Sequence, residues 1–138
     1  MNATILALLG YLAWTMFLVL FMAIYRTKLV MSKERAANEF KADGSDSPAF
    51  GQRIARAFGN CVESFAFVGG TLLAALATDS SAISNPLAYA LLGARLAQSI
   101  VHLVSTSVLG VQVRFAFFLV QVGICLYWIV LMAQKFVA

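Results

Sequence analysis

Arg53, Arg56, Asn60 and Glu63 stand at i, i+3, i+7 and i+10 within GQRIARAFGNCVESF (residues 51–65), and the apolar run AFVGGTLLAALA follows at once. At 100° per residue, helical geometry confines these four side chains to an arc of about 80°. Arg95, Gln98, His102 and Ser105 repeat the same spacing in a later apolar stretch. In a membrane helix, Arg95 falls near the bilayer middle and His102 at a depth like that of Glu63. Each charge there costs about 2.5–3.5 kcal/mol on insertion scales. Glu63 is the only buried carboxylate at this layer, so the cations leave positive charge that an anion would neutralise.

Two readings fit these residues. In one, they form a site for a small, multiply charged ligand. In the other they are structural: Glu63 pairs with an arginine, Asn60 and Gln98 cross-link helices, and Arg95 is an intramembrane structural charge. Taken singly, Arg53 and Arg56 are interfacial arginines that set topology and snorkel, His102 is a satisfied helix contact, and Arg114 is an ordinary charge at the inner face. Only their convergence favours a ligand.

The elements that position them follow from composition. Of 138 residues, 62% are hydrophobic and 12% charged, with a mean hydropathy of +0.86, whereas soluble domains are about half apolar and a quarter charged. This is an integral membrane chain of one domain. A hydrocarbon core of about 30 Å needs roughly 20 helical residues, and four segments qualify, near 4–25, 57–77, 87–109 and 115–134. Their apolar runs are continuous rather than alternating, and an open sheet cannot satisfy its backbone in lipid, so the fold class is all-α, a four-helix membrane bundle. The first stretch lacks a positive n-region and exceeds a signal h-region, so it reads as a retained span.

The segment 26–56 is hydrophilic. Its KERAANEF favours extension of the first helix, and DGSDS reads as a turn. Ser47–Pro48 and Asn85–Pro86 fit an N-cap and first helical position for the second and third helices, and Gly110 a stop before the fourth. Arg26, Lys28, Lys33, Arg35, Lys41, Arg53, Arg56 and Arg114 fall on one side and Lys135 on the other, which makes 26–56 cytoplasmic and puts both termini outside. That distribution also accounts for the net charge of +4 without nucleic acid. Cys61 and Cys125 lie in apolar segments with no metal-ligand spacing and read as small core residues. Gly69-Gly70 suits close helix packing, since no phosphate-loop pattern surrounds it. Tyr11, Trp14, Tyr25, Tyr127 and Trp128 read as span or interface aromatics.

ERAANEF…RIARAFGNCVESF, followed by ARLAQSIVHL and VRFAFF, resembles the membrane-associated proteins in eicosanoid and glutathione metabolism, the group with microsomal glutathione transferases and leukotriene C4 synthase. The resemblance covers nearly the whole chain, and R-x-x-R-A-x-x-N-x-x-E is its most specific element. It implies a homotrimer that binds glutathione between subunits near the cytoplasmic face. By motif, Arg26, Arg53, Arg56, Asn60, Glu63, Gln98 and His102 are implied as glutathione-binding residues and Arg114 as the arginine that stabilises the thiolate. Two positions depart from the family pattern, which often has tyrosine where this chain has Ser64 and His102.

The implied function is a membrane glutathione transferase or peroxidase acting on lipophilic electrophiles from the bilayer, with glutathione as cosubstrate and no metal. The implied partners are further copies of the chain, membrane lipid and lipophilic small molecules. The alternatives are a non-catalytic lipid-binding or scaffolding member of the same family, and a small transporter with an Arg95–Glu63 relay. A bacterial inner membrane and an endoplasmic reticulum fit equally as compartments.

Overall fold

A computed structural model of the chain describes residues 2–38 and 48–137. Four helices carry the fold: α1 (Ala3–Met31), α2 (Ala49–Ala77), α3 (Ser81–Val104) and α4 (Val108–Val137). All four are long and apolar enough to cross a membrane. At 1.5 Å per residue a 29-residue helix is about 44 Å long, so its ends stand beyond a hydrocarbon core of about 30 Å.

The helices alternate in direction. Thr4, at the start of α1, donates through N and Oγ1 to Asn85 Oδ1 near the start of α3, at 2.9 and 2.7 Å. Lys135, near the end of α4, donates to the carbonyls of Thr78 and Asp79 and to Ser80 Oγ in the α2–α3 turn. At the opposite end Arg53 on α2 meets the last turn of α3. Every pair of helices packs together except α1 with α4.

The core lies where α2 and α3 meet the inner faces of the outer pair, with Leu8, Tyr11 and Leu18 of α1 against Cys61, Val68, Leu72, Ala88, Leu91, Cys125 and Trp128. Leu9, Met16, Leu20 and Ile24 of α1 and Phe115, Leu119, Leu126 and Val130 of α4 face outward. In a membrane protein such surfaces meet acyl chains without the penalty that water would impose.

Several boundaries differ from those read in the sequence. α1 stops at Met31 and does not continue through KERAANEF. Lys33 takes φ 61°, and the bonds Lys33 N–H to Val30 O and Glu34 N–H to Leu29 O close a Schellman motif. The end of KERAANEF, like DGSDS and Ser47, lies outside the described residues; the N-cap of α2 is Pro48. α3 starts at Ser81, so Pro86 stands inside it. Pro86 is the sixth residue of α3, past the four N–H groups that a helix start leaves open, so it removes the bond to Ala82 O; Asn85 does not cap α3 but accepts from Thr4 N–H at the start of α1. Gly110 is in the first turn of α4 rather than before it.

Candidate functional site

α3 and α4 leave the bundle centre side by side at the end that carries Arg26, Lys28, Arg53, Arg56 and Arg114. Between them, and against α2, opens a cleft of about 300 Å³ lined by Asn60, Gln98, His102, Val111, Arg114, Phe115 and Phe118. Four of the residues singled out in the sequence therefore line one cleft, together with two phenylalanines of α4.

Arg114 Nη1 lies 2.8 Å from His102 Nδ1. A guanidinium has donors only, so Nδ1 accepts. The imidazole is then neutral with its proton on Nε2, which makes Nε2–H a further donor. Arg114 Nε is buried with no partner. The side chain is thus pinned at one nitrogen and keeps hydrogen-bonding capacity at others.

Behind the cleft is a sealed polar network. Arg95 is fully buried; it donates from Nε to Gln121 Oε1 at 2.9 Å and from Nη1 to Asn60 Oδ1 at 2.5 Å. Gln98 Nε2 donates to the same Asn60 oxygen at 3.3 Å, and Gln121 Nε2 to Gln98 Oε1 at 2.7 Å. The Arg95 guanidinium also sits 5.6 Å from the Tyr11 ring centroid, a contact that stabilises a cation away from water. An Arg95–Glu63 relay is not formed: Arg95 bonds to Asn60 and Gln121, whereas Glu63 is exposed on the outer face of α2.

The other expected site residues are elsewhere. Arg53 Nε donates to Leu103 O at 2.8 Å, satisfying a carbonyl that the end of α3 leaves open, and its guanidinium lies over Phe50. Arg56 is exposed on α2, and Arg26 lines a separate pocket with Thr27, Val30, Met31 and Ala37. Ser64 is buried. Gln121 was not singled out in the sequence, although its signal is visible there: it stands seven residues after Arg114, on the same helix face, as a lone carboxamide in an otherwise apolar run. Tyr11, read as a span aromatic, is buried with its hydroxyl donating to Cys61 O. Cys61 and Cys125 are buried free thiols. Among the described residues no group of His, Cys, Asp or Glu could hold a metal ion.

The family model described as the MAPEG family matches residues 4–134. The chain belongs to the MAPEG family. Comparison with curated proteins and with solved structures returned no match. Membership makes this four-span chain a multi-pass integral membrane protein and supports a role in glutathione or eicosanoid metabolism in general. A MAPEG protein with this cleft presents nitrogen donors, and no carboxylate, on the wall formed by Asn60, Gln98, His102 and Arg114.

Proposed function

We propose that this protein is a membrane glutathione transferase with peroxidase-like capacity, assembled as a homotrimer, that activates the glutathione thiol and directs it at lipophilic electrophiles. The observation that carries this reading is the pairing of Arg114 with His102 in a cleft that Phe115 and Phe118 also line. A donor-lined wall suits a ligand with two carboxylates and peptide carbonyls. The two phenylalanine rings suit an apolar second substrate arriving from the bilayer.

Arg114 is the group we assign to the sulfur. A guanidinium beside a thiol favours its thiolate, and each unit of pKa lowering corresponds to about 1.4 kcal/mol. The thiolate attacks the electrophilic carbon and the displaced group leaves with the bonding pair; with a peroxide it attacks one oxygen, the O–O bond breaks, the alkoxide takes up a proton, and a second glutathione converts the sulfenic acid to disulfide and water. His102 holds Arg114 in place.

Exposed Arg56 and Glu63 on a membrane helix support the trimer. A carboxylate facing acyl chains is costly, and a neighbouring subunit covering that face of α2 would remove the cost while bringing Arg26, Arg56 and Glu63 to a shared ligand. The cationic end of the bundle is the cytoplasmic one in this reading, with both termini outside.

Titration of the detergent-purified protein with glutathione tests the proposal. Saturable binding that Arg56→Ala and Glu63→Ala weaken is expected, and absence of saturation would end it. Conjugation of a chromogenic electrophile separates enzyme from lipid-binding scaffold. Arg114→Ala is expected to lower turnover by about 10²–10³, the usual cost of deleting a group that stabilises developing negative charge, with a smaller change in glutathione affinity.

A further inference from the structure

Hydrogen-bond polarity in the network behind the cleft is determined by one residue. Because a guanidinium cannot accept, the Asn60 atom at Arg95 Nη1 must be Oδ1 and the Gln121 atom at Arg95 Nε must be Oε1. Gln121 is then left with its amide nitrogen, which donates to Gln98 Oε1 and to Phe117 O at 3.0 Å. Gln98 in turn has only Nε2 to offer, and it goes to Asn60 Oδ1. The Asn60 oxygen receives two donors, and turning any of the three carboxamides by 180° would set N–H against N–H. Asn60 Nδ2 has no partner among the described residues, and Asn60 lines the cleft. Arg95 and Gln121 are fully buried and do not line it.

We propose that Arg95 and Gln121 are positioning residues that set the polarity of the cleft wall, holding Asn60 so that it offers only N–H donors to the ligand. The ligand atom at Asn60 is therefore an acceptor, a carboxylate or peptide carbonyl oxygen, and a ligand that places an ammonium or amide N–H there is rejected. This deepens the glutathione reading and rests on it for the ligand, while the network stands on its own geometry. It also gives a function to a buried membrane cation that has no carboxylate partner among the described residues: Arg95 passes its donor-only character through two carboxamides and one direct bond to the surface.

The full chain in detergent, with glutathione as the probe, separates the outcomes. Lysine, like arginine, is donor-only, so Arg95→Lys is expected to stay within about threefold of wild-type affinity. Arg95→Met and Arg95→Gln are expected to raise Kd about tenfold or more, the loss of one well-placed hydrogen bond to a charged group. A merely structural role would alter the folded fraction and leave the affinity of the folded protein alike in all three. Wild-type affinity in Arg95→Met and Arg95→Gln overturns the proposal. Thermal unfolding gives a second readout that needs no ligand and no Arg95 variant. Asn60→Asp supplies acceptors to both donors and is expected to melt no lower than wild type, whereas Asn60→Leu melts lower. Equal losses in the two would overturn the assigned polarity. If wild type shows no saturable binding while the Asn60 pair behaves as expected, the glutathione reading fails and the polarity of the wall is upheld.

Discussion

Tyr11 shows how much a single side chain does at the centre of this bundle. It is 1% exposed, its hydroxyl donates to Cys61 O, and its ring is in contact with the Arg95 guanidinium and with Phe65. Tyr11→Phe keeps the ring contacts and removes only the hydroxyl, so a loss of about 1 kcal/mol is expected, read as a lower unfolding midpoint in detergent. Which polar residues would be buried was legible in part. Arg95 and Gln98 stand out as polar positions in an apolar run, and both are buried, Arg95 behind the cleft and Gln98 at its lining. Glu63 was expected to be buried on the same grounds, yet it is exposed on the single chain because α2 turns that side away from α1, α3 and α4. The i, i+3, i+7, i+10 spacing identifies a face, and the same spacing on α3 splits its residues between a place behind the cleft (Arg95) and the cleft lining (Gln98 and His102).

At the scale of elements, two helices end the same way. α1 closes at Lys33 and α2 at Asp79, with φ of 61° and 53°, and in each the N–H of the next residue reaches back to a carbonyl of the last turn in a Schellman motif, Glu34 to Leu29 O and Ser80 to Ala75 O. Glycine suits that position because an L side chain in the left-handed region costs about 1–2 kcal/mol. Lys33→Gly and Asp79→Gly are each expected to raise stability by about 1 kcal/mol once the entropy of glycine is deducted, whereas the alanine variants gain nothing. Differential scanning measurements on the four variants check this. These stops were hard to read because the usual glycine is absent. For the same reason KERAANEF, made of good helix formers, suggested a longer α1. The start of α3 misleads differently: Pro86 is its sixth residue, where the ring removes the bond to Ala82 O, so a proline need not mark the first residue of a helix that packing holds on both sides of it.

For the whole molecule, the bundle has a cationic end and an end carrying Asn2, Thr4, the α2–α3 turn and Lys135. If the cationic end is cytoplasmic, a cysteine introduced by Phe136→Cys will react with an impermeant maleimide added outside intact cells, and one introduced by Thr27→Cys will react only after permeabilisation. Cys61 and Cys125 are buried and give little background. The reverse pattern would invert the topology proposed above. The sequence by itself determined that this is an all-helical membrane chain with four spans and one basic side, because hydropathy, length and charge are sums over local residues and need no knowledge of neighbours. Only the tertiary structure decided that Arg95 meets Asn60 and Gln121, that His102 meets Arg114, and that Glu63 faces outward. Those pairings depend on how each helix is rotated about its axis and shifted along its neighbours. That choice is made by packing across α1 to α4 together, and no single helix encodes it.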